Sequence, residues 1–167
     1  DLIKNELCHK LNGLDIDEAI ENWDEVRSRI EKNNGNLDVY LFHFINSLDE
    51  AQNLRQQIDK RRGIDKWEKK NYPPVPEKYV FDVYSDYIEL VGAETFLENL
   101  LINYDKYSNF INPSSNNIYL SGFKAMGVNK CFPLLLNSVR KVSERNFTNL
   151  AQALESLTFR HSILRND

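Results

Sequence analysis

A chain of 167 residues is long enough for one domain with a real core and too short to promise several. Its 41% hydrophobic and 28% charged residues exclude a disordered polymer, and six glycines with five prolines are too few for a many-turned β-sandwich. The net charge of −4 excludes a global attraction to nucleic acid or an anionic membrane, so any such contact needs a local patch.

Apolar spacing is helical almost throughout. Ile3, Leu7 and Leu11 line one face of a short first helix. Asp15 or Asp17 is placed to cap the next, where Ile16, Ala19, Ile20, Trp23, Val26 and Ile30 recur at three-to-four spacing. Asn34-Gly35 ends it, since both residues tolerate the left-handed backbone of a helix C-terminus. Leu37, Leu41, Phe44, Ile45 and Leu48 predict a third helix, with Tyr40 and Phe42 widening its buried face. Residues 49 to 71 read as a polar middle: a solvated helix as far as Arg62, then a break at Gly63. Tyr72-Pro73-Pro74-Val75-Pro76 is a breaker, because proline lacks an amide donor and restricts the residue before it.

Beyond the breaker, Val80, Tyr84, Tyr87, Ile88 and Val91 predict another helix. The strongest pattern follows Gly92: Phe96, Leu97, Leu100, Leu101, Tyr104, Tyr107 and Phe110. Residues 112 to 117 are a loop by composition, and a short element spans Ile118 to Met126 and stops at Gly127. Pro133 suits the first turn of the next helix, and Asn146 or Thr148 is expected to cap the last. The expectation is an all-α single domain over 1–167, an orthogonal or irregular bundle of about eight or nine helices. It divides into helical halves 1–71 and 77–167 around the breaker at 72–76, and the opening on Asp1 rather than Met suggests a fragment of a longer chain.

Reaction chemistry is hard to find in this pattern. Six isolated glycines give no phosphate loop, which needs clustered glycines so that backbone amides converge on one anion. His9, His43 and His161 form no helical i, i+4 pair, and Cys8-His9 is poorly arranged for sharing a zinc ion, so structural roles are expected for all of them. A nucleophilic pairing of Cys131 with a histidine has no sequence signal of its own. The carboxylates crowding residues 15 to 31, Glu21 and Glu25 among them, read as a solvated face. No catalytic residue, cofactor site or metal site is expected in the chain. With Cys8 and Cys131 far apart and no run near the ~20 apolar residues of a membrane span, a reduced, cytoplasmic protein without a membrane contact is expected. Lys4, Glu6 and Lys10 break up the first helix too heavily for a secretory leader.

Two clusters could bind anions. Lys60, Arg61, Arg62, Lys66, Lys69 and Lys70 surround Trp67, a pattern in which cations neutralise phosphates while an aromatic ring stacks on a base, although Asp59, Asp65 and Glu68 dilute it. In the last helix, His161 falls in register with Leu154 and Leu157, which predicts a core-edge position. Arg160 and Arg165 lie off that stripe; the alternative for Arg160, His161 and Arg165 together is an anion-contacting tip that faces a neighbouring domain.

Several segments, in order, resemble the helical region of GmrSD-type modification-dependent restriction proteins. Asp1-Leu2-Ile3-Lys4-Asn5-Glu6-Leu7 is similar to the "DLIKN-x-L" segment that follows that family's ParB/sulfiredoxin-like nucleotide-hydrolysing domain. Trp23 matches a recurring tryptophan, and Phe42-His43-Phe44-Ile45-Asn46-Ser47 resembles an aromatic-rich helix in which arginine often precedes the histidine. Residues 81 to 107 resemble the following helix pair. Phe132-Pro133-Leu134-Leu135-Leu136 resembles "YPLLL", and the segment from Leu154 to His161 resembles "LESFLxRR" with His161 replacing the second arginine. Residues 50 to 76 read as an insertion. The family's "DGQQR"-like motif and its histidine-rich HNH signature are not found in this sequence.

The resemblance implies a noncatalytic helical connector that couples nucleotide-hydrolysing and HNH nuclease domains, its partners, in a phage-defence or restriction protein. DNA would then be contacted by the parent protein, itself a nucleotide-dependent endonuclease. The alternatives are a free-standing helical interaction module and a weak nucleic-acid binder acting through residues 60 to 72.

Overall fold

The computed structural model describes residues 2–11, 16–62, 75–114 and 117–164, without the side chains of 52, 77 and 78. Among them are nine helices and no strand, so the fold is all-α. In chain order these are α1 (Leu2–Lys10), α2 (Ile16–Lys32), α3 (Leu37–Asn46), α4 (Ala51–Arg61) and α5 (Glu77–Val91), then α6 (Ala93–Ile111), α7 (Ile118–Ala125), α8 (Phe132–Ser138) and α9 (Glu144–Leu164).

The centre is α6, the helix that meets the most neighbours. It packs against α2, α5, α7, α8 and α3, and buries Phe96, Leu97, Leu100, Tyr104, Tyr107 and Phe110. Short α3 lies beside it and is apolar nearly all round, which is why it is enclosed by α5, α6 and α8. The core contains α1 to α4 residues together with α5 to α9 residues, so the two sequence halves share one hydrophobic interior. Val75, at the end of the proline-rich breaker, is itself buried, and its amide donates to Asn46 Oδ1 at 2.5 Å. Tyr72, Pro73 and Pro74 lie outside the described residues.

Local signals act as their chemistry demands. Asn34 takes φ +56° and the Gly35 amide donates to the Ile30 carbonyl at 2.9 Å, closing α2. Asn36 caps α3 through Val39 N, and Asn117 caps α7 through Leu120 N. Pro133 sits in the first turn of α8.

Two expectations are corrected. The polar middle is not a solvated helix, because Ala51, Leu54 and Ile58 fall on one face of α4 and are buried where it packs on α5. Asn146 and Thr148 lie inside α9 rather than capping it; the Ser143 hydroxyl faces the Asn146 amide at 3.5 Å, and Thr148 turns back to the Glu144 carbonyl. Asp17 is in the first turn of α2, where its charge suits the helix dipole, and Asp15 lies outside the described residues.

Candidate interaction surface

α9 is the last helix. It packs on α7 and α8, and Phe147 in its first turn stacks on Phe110 with ring planes 16° apart. Its inward stripe runs through Phe147, Ala151, Leu154 and Thr158. Gly122 of α7 sets that rotation: a Cβ there would lie 2.6 Å from Glu155 Oε1, so α7 approaches α9 along the side that carries Ala151, Glu155 and Thr158.

This rotation overturns the register expected for His161. Leu157 is 67% exposed, and His161 and Arg160 are both exposed. Phe159, Ile163 and Leu164 are exposed as well, at 52%, 50% and 76%. At about 100° per residue, Leu157, Arg160, His161 and Leu164 share one flank of α9 while Phe159 and Ile163 share the opposite one. Arg165 lies outside the described residues.

The first flank faces the loop between α7 and α8. Gly127 there takes φ +64°, and the Val128 amide reaches back to the Phe123 carbonyl at 3.1 Å, so the chain leaves α7 sharply and returns as α8. The loop and the flank enclose a groove of about 730 Å³. Its walls include Val128, Cys131, Leu157 and Leu164, with Lys130, Arg160 and His161 the titratable nitrogens and no carboxylate among the described lining residues. Neither Lys130 nor Arg160 has an ion-pair partner among the described residues. The Thr158 hydroxyl donates to the Leu154 carbonyl at 2.7 Å, leaving its oxygen to accept from the Cys131 thiol at 3.8 Å.

Two members of the other cationic cluster are engaged within the protein. Arg61 pairs with Asp86 and Arg62 with Asp82, both on α5, and the Arg62 guanidinium lies 4.9 Å from the Tyr79 ring centroid. Lys60 is exposed. Lys66, Trp67, Lys69 and Lys70 lie outside the described residues.

His43 is 4% exposed, with its Nδ1 2.7 Å from Tyr107 Oη and its ring 5.7 Å from that of Phe132. Burial pulls its pKa down to about 4, so the imidazole is neutral at pH 7 and ties α3 to α6. The end of α3 is held differently. Arg140 donates to the Ser47 carbonyl at 2.5 Å and to Asn103 Oδ1 at 3.2 Å, and Asn137 donates to the same carbonyl at 2.6 Å. A cation at a helix C-terminus is favoured by the dipole, although burial lowers the Arg140 pKa. Glu21 and Glu25 are exposed on α2, where Glu25 pairs with Arg29 one turn on.

Among the described residues no three His, Cys, Asp or Glu side chains converge as a metal site, and no helix is long and apolar enough to cross a membrane. The exposed groups at the end of α9 were missed in sequence, yet a signal was present. Leu157, Phe159, Ile163 and Leu164 spread over more of the helix circumference than one core can cover. Compared with known proteins, the chain matches no family model, no curated protein and no solved structure.

Proposed function

We propose that this chain is a noncatalytic helical connector, whose work is to hold partner domains through the end of α9. The observation that carries the reading is the exposure of four large apolar side chains, Leu157, Phe159, Ile163 and Leu164, over the last turns of a helix whose beginning is firmly packed. Isolated exposed apolar residues are ordinary, but a group on one helix end is what a protein–protein contact uses. The resemblance to GmrSD-type proteins supplies the identity of the partners: a nucleotide-hydrolysing domain and an HNH nuclease domain of a cytoplasmic restriction or phage-defence protein. In this role the connector keeps the two in register, and DNA is engaged by the parent.

Direct nucleic-acid binding through residues 60 to 72 is less well supported, because Arg61 and Arg62 already face Asp86 and Asp82. The test is Phe159→Glu with Ile163→Glu in a protein that carries this chain between the two domains. Nucleotide hydrolysis is expected to persist while nucleotide-dependent DNA cleavage falls by at least about tenfold, as when a buried apolar anchor is lost. Cleavage at the unsubstituted rate would sink the connector reading.

A further inference from the structure

We infer that the groove between the α7–α8 loop and the end of α9 receives an acidic amphipathic helix from a partner protein. This rests on the interaction reading of α9 and commits it to a chemistry. Leu157 and Leu164 lie seven positions apart on the groove flank, with Arg160 and His161 between them. That spacing spans about 10 Å, the length of two turns of a docked helix. Val128 and Cys131 form the facing apolar wall. An amphipathic helix lays its apolar face into such a trough and reads it at positions i, i+3, i+4 and i+7.

The charge of the site selects the helix. The chain as a whole carries −4, yet among the described residues this groove is bordered by Lys130 and Arg160 and by no carboxylate. Several surface cations elsewhere pair within the protein, Lys4 with Asp24, Lys10 with Glu89, Arg27 with Glu31 and Lys141 with Asp49. Lys130 and Arg160 have no such partner among the described residues. Glutamates flanking the leucines of an incoming helix would complete both pairs at the rim, where they set the partner and its orientation. Nucleic acid fits less well: two cations neutralise few phosphates, and the described groove walls carry no Phe, Tyr or Trp on which a base could stack.

The experiment uses a fluorescein-labelled peptide of about four helical turns, with leucines at helical spacing and glutamates between them. It is titrated by anisotropy with the full chain, beside a peptide with lysine in place of glutamate, a shuffled peptide of equal composition and a duplex DNA. The glutamate peptide is expected to bind and to shift the amide resonances of Gly127 and Val128. Lys130→Glu with Arg160→Glu should weaken it at least about tenfold, and Leu157→Ser by a similar factor, with circular dichroism unchanged because all three side chains are exposed. Equal binding of the lysine or shuffled peptide, binding of DNA alone, or no binding at all would each overturn the assignment. If the peptide fails while Phe159→Glu with Ile163→Glu still uncouples the larger protein, the groove assignment falls and the connector stands. The converse pattern removes the connector and leaves the groove.

Discussion

Two regions of this molecule treat their surfaces in opposite ways. Around Tyr107, the rings of Tyr40, Tyr104, Phe110 and Phe132 lie with centroids 5.0 to 6.3 Å away, and the buried polar atoms nearby are matched. The Tyr40 hydroxyl donates to the Leu100 carbonyl at 2.6 Å, Tyr84 to the Leu41 carbonyl at 2.7 Å, and His43 meets Tyr107. At the end of α9 the reverse holds: large apolar groups face water, and among the described residues two cations stand without carboxylates. The first region is closed because an unmatched polar atom there would cost about 1–3 kcal/mol. The second is left unmatched among the described residues, which is the condition for a surface that gains free energy only when something else arrives.

The sharpest way to break this contrast is one substitution made in each region. Phe96 is fully buried and meets Tyr84 and Tyr87 edge-on, so Phe96→Ala should cost about 3–5 kcal/mol through lost contact and a residual cavity. Phe159→Ala, at 52% exposure, should change stability by no more than about 0.5 kcal/mol. Urea unfolding of the two variants measures both. Similar losses would mean that the end of α9 is folded into the core in solution.

Acid titration examines the closed region by itself. His43 has its pKa near 4 in the folded protein, against an ordinary value of 6.5, because burial disfavours its cation. Between those values the unfolded chain takes up a proton that the native state refuses. The stability contributed by a neutral His43 is therefore complete above about pH 6.5 and lost as pH falls toward 4, by roughly 3 kcal/mol for this one group. His43→Asn keeps an acceptor within reach of Tyr107 but cannot titrate. Its stability deficit at pH 7 should shrink steadily down to pH 4.5 in stepped urea titrations. A constant deficit would show that His43 titrates normally and that its surroundings are wetter than the packing implies.

The same contrast explains what could be read in the sequence. The α6 stripe, the Asn34-Gly35 stop and Pro133 in α8 were legible because each is a local rule with one outcome. The burial of α4 was not, since three apolar residues in eleven became a face only once α5 lay against them. The rotation of α9 was ambiguous in principle. Leu154 belongs both to the stripe with Leu157 and His161 and to the one with Ala151 and Thr158, and the choice was made by α7 at Gly122. The groove follows from that choice, so it too was hidden: Lys130 became its neighbour only through the turn at Gly127. Arg61 and Arg62 looked available for phosphate until α5 supplied Asp86 and Asp82.

The smallest expected effect tests the open region most severely. Leu157→Ser, Phe159→Ser and Ile163→Ser together remove apolar groups from both flanks of α9, yet all three side chains are at least half exposed in the isolated chain. If those flanks serve a partner, the folded state has little to lose, and the urea midpoint should stay within what about 1 kcal/mol of stability allows. Serine is a slightly poorer helix former than leucine or phenylalanine, so any change should be a small destabilisation confined to the end of α9. Amide exchange would then quicken over residues 157 to 164 and stay unchanged in α3 and α6. A loss of several kcal/mol would mean that these side chains already have an apolar neighbour within the chain, and the surface would have no claim to a partner. A neutral result leaves these three apolar side chains exposed without a stabilising role, and binding becomes the remaining physical reason for their exposure.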